Sequence, residues 1–174
     1  MPIDTKALAQ RFAAIRVLVV DDEHYMRKVV RTMLMGLGVR DILEAPDGPN
    51  GLELIRSAAP DVVILDWQMP GLDGNSFVRI VRSPDTFPYP DIPIIMLTGH
   101  GERSRVIEAV QIGVNEFLLK PVSSKSLQDR LISVLAHPRP LIRTGGYYGP
   151  APRRNLASIH SDNDEAVASL IFIN

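Results

Sequence analysis

Hydrophobic positions along the chain alternate between two patterns, unbroken runs and helical periodicity. Short, unbroken apolar runs such as 17–20 and 62–65 end at polar or turn residues, which is typical of buried strands. Between these runs, apolar residues recur every three or four positions, which predicts amphipathic helices. The predicted strands are 15–20, 41–45, 61–66, 92–98 and 116–120, and the predicted helices are 4–14, 25–37, 52–58, 77–81, 103–113 and 123–136.

From residue 15 onward, a strand is followed by a helix five times. Helices placed between buried strands imply right-handed crossovers and a parallel sheet covered on both faces. The segment from 83 to 91 contains three prolines and is predicted to be a loop. The pattern therefore indicates an α/β fold.

Polar side chains stand where four of the five strands end. They are Asp21 and Asp22 after the first strand, Asp66 at the end of the third, Thr98 at the end of the fourth and Lys120 after the fifth. Because the carboxyl ends of parallel strands share one edge of a sheet, and ligands bind there in open α/β sheets, these side chains are expected to converge.

Three carboxylates, a hydroxyl and an ammonium form a set suited to phosphoryl transfer onto a carboxylate. Asp66 is the predicted nucleophile, and Asp21 and Asp22 are predicted to hold Mg²⁺. Lys120 and Thr98 would bind the phosphoryl oxygens, and Gly99 would leave room for the group to arrive. Taken singly, each residue has a plainer interpretation as a helix cap or a solvated turn residue.

Composition narrows the function classes. The 174 residues are 45% hydrophobic and 22% charged, which is ordinary for a globular protein, and the formal net charge of -1 gives no basic field for nucleic acid. The absence of cysteine excludes disulfides and Cys-based metal sites. No apolar run is long enough to span a bilayer, and the first residues do not resemble a signal peptide. A cytoplasmic protein without a membrane partner is therefore expected.

The segments VLVVDDE, DVVILDWQMPGLDG, IIMLTG and EFLLKP resemble the receiver domain of bacterial two-component response regulators. The resemblance covers about residues 16–136. It implies a (βα)₅ doubly wound parallel sheet with the flavodoxin-like strand order 2-1-3-4-5. It also implies that Asp66 accepts a phosphoryl group from a histidine kinase or a histidine phosphotransferase in a phosphorelay.

The resemblance also assigns further roles. The backbone carbonyl of Gln68 would be a metal ligand beside Asp21, Asp22 and Asp66. Thr98 and Lys120 would couple phosphate to a switch, and Phe117 would be the aromatic residue that turns inward on activation. The surface of the fourth receiver helix, the fifth strand and the fifth receiver helix would then change its partner binding. The alternative for Phe117 is a plain core residue of an edge strand.

Two side chains near the acceptor are candidates for tuning the lifetime of the phosphorylated form. Gln68 follows Asp66 by two residues, and His100 follows Thr98 by two. Both have an equally good interpretation as solvated loop residues. An aspartyl-phosphate phosphatase would need a further aspartate where Gln68 stands, so a binding module whose only chemistry is gain and loss of the phosphoryl group at Asp66 is expected rather than an enzyme.

The chain is divided into an N-terminal helical extension (1–14), a receiver domain (15–136) and a C-terminal arm (137–174). Residues 143–154 are rich in Gly, Pro and Arg and have no periodicity, which predicts an extended arm or a loop. Residues 166–173 are apolar and need a surface to cover them. We expect the arm to dock on its own domain or to exchange within a homodimer.

An alternative for the arm is a binding role. Arginine and tyrosine side chains can stack on bases, and the arm carries six of them, namely Arg139, Arg143, Tyr147, Tyr148, Arg153 and Arg154. The runner-up function is therefore a receiver-like effector whose arm binds a nucleotide or nucleic acid, although docking or dimerisation is preferred.

Overall fold

The computed structural model describes residues 4–99 and 103–152. The helices are α1 (Thr5–Ala14), α2 (His24–Gly36), α3 (Gly48–Ala58), α4 (Gly74–Val81), α5 (Arg103–Ile112) and α6 (Ser124–Ala136). The strands are β1 (Arg16–Val20), β2 (Asp41–Ala45), β3 (Val62–Asp66), β4 (Ile94–Thr98), β5 (Glu116–Leu119), β6 (Leu141–Thr144) and β7 (Tyr147–Pro150). Among the described helices, none combines the length and the apolar character that a bilayer crossing requires.

Five strands form one parallel sheet in the order β2-β1-β3-β4-β5. The order reverses at β1, where the chain crosses from β2 to β3. This arrangement confirms the predicted doubly wound α/β fold with flavodoxin-like order. All five parallel strands therefore end at the same edge, as the sequence predicted.

The sheet is buried on both faces, and each strand supplies both cores by simple alternation. Leu18 and Val20 belong to the core shared with α3, α4 and α5, whereas Val17 and Val19 belong to the core shared with α2 and α6. Successive side chains of a strand point to opposite faces, so an unbroken apolar run is what a two-sided parallel strand needs.

The N-terminal helix α1 is part of the packed structure. The Asp4 side chain accepts a hydrogen bond from the backbone N–H of Lys6 and begins the helix. Phe12 is fully buried in the core on the α6 side. The guanidinium of Arg11 donates to the carbonyl of Leu135 near the end of α6. The extension therefore covers the C-terminal end of α6.

The prediction of an extended arm or a loop over residues 143–154 is wrong for residues 143–150. Residues 141–150 form an antiparallel hairpin, in which Thr144 pairs with Tyr147 around the turn Gly145-Gly146. Gly145 has a φ of +55°, which glycine adopts without strain. A Gly-Gly pair between two short strands is a recognised hairpin signal, and the absence of periodicity in four-residue strands concealed it. We call β6 and β7 the C-terminal hairpin.

A buried arginine joins the loops at the amino edge of the sheet. Arg82, just after α4, is 6% exposed. Its guanidinium donates to the carbonyls of Gly113, Pro90 and Ile92 and to the side chain of Asn115, at 2.6 to 2.8 Å. Burial lowers the pKa of Arg82 to about 10, so the side chain stays charged at neutral pH. Its charge is satisfied by carbonyl dipoles rather than by a carboxylate in direct contact.

We expect Arg82→Met to lower the free energy of unfolding by about 3 kcal/mol, because several buried acceptors lose their donor at once. Urea unfolding measures this loss. Arg79→Met is the matched control, since Arg79 is exposed in the same region and surface changes usually cost less than about 0.5 kcal/mol. Equal losses for the two variants would contradict the role given to Arg82.

Candidate functional site

The structure brings most of the predicted residues together at the carboxyl edge of the sheet. Asp21 directly follows β1, Asp66 ends β3, Thr98 ends β4 and Lys120 follows β5. The backbone ladder continues into the site, since Asp21 N–H donates to the Ala45 carbonyl and Lys120 N–H donates to the Thr98 carbonyl. The positions of these side chains are therefore fixed by the sheet.

Lys120 links the two buried carboxylates. Its Nζ lies 2.9 Å from Oδ1 of Asp66 and 3.9 Å from Oδ2 of Asp21. Asp66 and Asp21 are 5% and 1% exposed. Removing Lys120 would be costly, because it would leave two uncompensated carboxylates in a place with little water.

The loop after β1 is held in place by local hydrogen bonds. Oδ1 of Asp21 accepts from the backbone N–H of Glu23 at 2.9 Å. The guanidinium of Arg27, on the first turn of α2, donates to the carbonyl of Asp21 at 2.7 Å and lies 3.8 Å from Glu44 on β2. The sequence analysis missed Arg27, because only the fold brings α2 and the end of β2 together around this loop.

The electrostatics of the site reflect burial opposed by Lys120. Burial raises the pKa of Asp66, and the hydrogen bond from Lys120 opposes this rise without cancelling it. Burial also raises the pKa of Asp21 to about 6; the Glu23 N–H lowers it, and the nearby Asp66 raises it further. For Lys120, burial lowers the pKa, but the bond to Asp66 and the charges of Asp66 and Asp21 outweigh burial, so the pKa is raised.

The three aspartates could hold a divalent cation. One carboxylate oxygen from each of Asp21, Asp22 and Asp66 lies within 4.8 Å of the others. Oδ2 of Asp21 is buried and has no hydrogen-bond partner among the residues that the structure describes. Buried polar atoms are almost always paired, so this unpaired oxygen fits a ligand position. Carboxylate oxygens suit Mg²⁺, a hard ion that prefers oxygen ligands.

The other predicted residues have different surroundings. Thr98 is 2% exposed. Phe117 is 3% exposed and packs in the core shared with α3, α4 and α5. Gln68 is exposed and lines an open groove of about 410 Å³ with its neighbours in the loop after β3. A Cβ at Gly99 would have no atom of residues 4–99 and 103–152 within 4 Å. His100 lies outside the described residues.

A glycine that the sequence analysis did not assign shapes the turn after Asp66. The Gly74 N–H donates to the Trp67 carbonyl at 2.9 Å. A Cβ at Gly74 would lie 2.8 Å from the carbonyl oxygen of Asp66 and 2.9 Å from the Cα of Trp67. Only glycine allows this close approach of two backbone segments, and the motif DWQMPGLDG contained the signal.

We expect Asp21→Asn to stabilise the chain at pH 8 by about 1–2 kcal/mol when divalent cations are chelated. The folded state raises the pKa of Asp21 from 3.8 to about 6. Between those values the fold binds the proton more tightly than the unfolded chain does, so the parent loses stability as pH rises through this window. The advantage of the variant should therefore shrink as pH falls from 6 towards 4.

Urea unfolding at several pH values in a chelator measures this difference. Asp129→Asn is the control, because Asp129 is exposed on α6 and should give no such trend. A parent that gains stability between pH 4 and 6 relative to Asp21→Asn would refute the expectation.

Comparisons with known proteins agree with this geometry. The family model described as "Response regulator receiver domain" matches residues 17–132. The chemotaxis protein CheY of Pseudomonas aeruginosa is 34% identical over 116 residues, which are 67% of this chain and 92% of that protein. The chemotaxis protein CheY1 of Helicobacter pylori is 40% identical over 121 residues, covering 69% of this chain and 96% of that protein.

Solved structures give the same result. The chain is similar to CheY4 of Vibrio cholerae, with a TM-score of 0.64 and 33% identity over 70% of this chain and 98% of that one. It is also similar to a response regulator receiver domain protein from Clostridium thermocellum, with a TM-score of 0.64 and 30% identity over 70% of this chain and 94% of that one. Helix α1 and the C-terminal hairpin lie outside the family match. The chain therefore belongs to the response regulator receiver domain family, as its motifs predicted.

Proposed function

We propose that this chain acts as a response regulator receiver in which Asp66 accepts a phosphoryl group from the phosphohistidine of a sensor kinase or a histidine phosphotransferase. The observation that carries the proposal is a buried Asp66 held 2.9 Å from Lys120, with two further aspartates beside it. The family membership supports it, since a receiver domain implies such a phosphodonor. Receiver domains are signalling proteins rather than enzymes, which agrees with the expected binding role.

The transfer step uses Asp66 as a nucleophile. A carboxylate oxygen of Asp66 forms a bond to phosphorus, the phosphorus–nitrogen bond of the donor breaks, and the imidazole nitrogen keeps that electron pair. Lys120 forms an ion pair with Oδ1 of Asp66. Its ammonium would also stabilise the negative charge of the phosphoryl oxygens. Thr98, at the end of the adjacent strand, is the proposed hydroxyl donor to the same oxygens.

Asp21, Asp22 and Asp66 are the proposed protein ligands of Mg²⁺, together with the backbone carbonyl of Gln68. A bound Mg²⁺ supplies positive charge that neutralises phosphoryl oxygens and carboxylates in the transition state. The unpaired Oδ2 of Asp21 supports this assignment. Receiver domains bind Mg²⁺ at an acidic pocket, and the aspartate cluster of this chain has the composition of such a pocket.

We further propose that Thr98 and Phe117 form the switch. A phosphoryl group on Asp66 would draw the Thr98 hydroxyl towards it, and the space left would favour the inward position of Phe117. Phe117 is 3% exposed, so the described arrangement holds it in the core. The output surface would be α5, β5 and α6, which correspond to the fourth receiver helix, the fifth strand and the fifth receiver helix. Phosphorylation would shift its population between two packings.

The alternative function for the arm is weakened by its contacts. The Tyr148 hydroxyl donates to Asp91, and Arg143 pairs with Asp85. The Tyr147 hydroxyl donates to the Pro150 carbonyl. These polar groups each have a partner within the chain, which favours docking of the arm on its own domain. Arg153, Arg154 and the apolar stretch 166–173 lie outside the described residues, so exchange of the arm within a homodimer stays a prediction.

We expect the intact protein to gain the mass of one phosphoryl group when it is incubated with Mg²⁺ and acetyl phosphate, and Asp66→Asn to gain none. The amide lacks the charge and the nucleophilic oxygen pair of the carboxylate. Intact-protein mass spectrometry measures the gain. Asp129→Asn is the control, because it removes an exposed carboxylate far along the chain on α6 and should leave the gain unchanged. An unmodified parent, or a modified Asp66→Asn, would count against the proposal.

We also propose that Gln68 and His100 tune the lifetime of the acyl phosphate by placing or shielding water. Gln68→Ala and His100→Ala should each change the dephosphorylation rate by about threefold or more, within the range of general acid–base and water-positioning effects. The measurement is loss of the phosphoryl mass after the donor is removed. Asn50→Ala on α3 serves as the control for an exposed amide. Rates equal to the parent in both variants would leave these residues as solvated loop positions.

A further inference from the structure

We propose that the C-terminal hairpin is a clamp on the junction between α5 and β5, and that its docking is coupled energetically to phosphoryl binding at Asp66. The inference rests on the proposed function. It concerns a segment outside the family match, and it predicts a property that the receiver domain alone would not have.

The first contact is a close approach of two backbones. Gly149 of β7 lies against Gly113, the residue after α5. A Cβ at Gly149 would be 2.8 Å from the Cα of Gly113, and a Cβ at Gly113 would be 2.7 Å from the carbonyl oxygen of Tyr148. Gly113 also has a φ of +100°, which strains other residues. The two glycines let the hairpin sit directly on the turn that connects α5 to β5.

The second contact is made by an arginine that precedes the hairpin. The guanidinium of Arg139 donates to the carbonyl of Asn115 at 2.6 Å and to the carbonyl of Ala151 at 2.8 Å. Asn115 is the residue directly before β5. Arg139 therefore bridges the end of the hairpin and the start of the strand that carries Phe117.

The third set of contacts reaches the loop before β4. The Tyr148 hydroxyl donates to Asp91, and Arg143 forms an exposed ion pair with Asp85. The ion pair is worth little by itself because water and salt screen it. From inside the fold, Arg82 binds the same two loops at Pro90 and Gly113. The hairpin and Arg82 thus both hold the loops that lead into β4 and β5.

The hairpin contacts lie at the amino ends of β4 and β5, and the carboxyl ends of the same two strands form the site. Thr98 ends β4 and Lys120 follows β5, so the two strands run from the hairpin contacts to the proposed phosphoryl group. Pinning the end of α5 and the start of β5 limits how these elements can shift against each other. The clamped arrangement has Phe117 buried, which is the arrangement that the proposed switch favours. Docking and phosphoryl binding therefore favour the same state, and coupling between them must be reciprocal.

Gly149→Val tests the clamp, because its side chain would be forced into the Gly113 backbone. Gly146→Ala is the matched control, since a Cβ there would meet no atom within 4 Å in the described part of the chain. The probe is beryllofluoride with Mg²⁺, which mimics a phosphoryl group on a carboxylate. Fluorescence of Trp67, the single tryptophan and the neighbour of Asp66, reports binding. Hydrogen exchange of residues 141–150 reports hairpin docking.

We expect Gly149→Val to expose the hairpin amides to exchange and to weaken beryllofluoride binding by about fivefold or more, in the usual range of coupling between sites. Gly146→Ala should match the parent in both measurements. In the parent, beryllofluoride should slow exchange of the hairpin. Tyr148→Phe, which removes only the hydroxyl bond to Asp91, should shift the affinity in the same direction by less.

Released hairpin amides with unchanged or tighter beryllofluoride binding would overturn the clamp. A Gly149→Val chain whose hairpin stays protected would also overturn it, because the docking contact would then be wrong. These outcomes differ from failure of the proposed function. In that case the parent itself would neither bind beryllofluoride nor accept a phosphoryl group.

Discussion

The ion pair between Lys120 and Asp66 is the interaction on which the site depends. Two nearly buried carboxylates and a third, exposed one share a small volume, and Lys120 is the cation that bonds to Asp66 there. Without it, burial and mutual repulsion would favour neutral carboxyl groups. With it, three carboxylates still face one ammonium, so the cluster keeps excess negative charge. That remaining negative charge suits the cluster to a divalent cation.

The sheet makes this concentration of charge tolerable by fixing it at one edge. Residues 17–20, 62–65 and 94–97 of the central strands are apolar on both faces, and a polar residue follows each run, so the carboxylates lie where the two cores stop. Backbone bonds then hold the loops. Arg27 binds the Asp21 carbonyl, and Gly74 lets the chain return against Asp66. The site is thus a consequence of the sheet rather than of flexible loops.

The opposite edge of the sheet is organised around carbonyl groups and a second cation. Arg82 donates hydrogen bonds to carbonyls in the loops before β4 and β5. Arg139 donates a further bond to the carbonyl of Asn115. These loops begin the strands that end at Thr98 and Lys120. The extensions to the receiver, α1 and the hairpin, pack against the end of α6 and against the turn after α5, which both belong to the proposed output surface.

The sequence by itself determined the fold and most of the site. Unbroken apolar runs between segments of helical periodicity specify a parallel sheet that is buried on both faces. Residues at the carboxyl ends of its strands must then converge, so the sequence alone predicts that Asp21, Asp66, Thr98 and Lys120 lie together. Only the tertiary structure decided the rest. The bonds of Arg27 and Arg82 and the contact of Gly149 with Gly113 join different elements of the fold. No local sequence pattern encodes which elements come into contact. The hairpin escaped prediction because four-residue strands are too short to show a period, and their stability comes from the surface on which they dock.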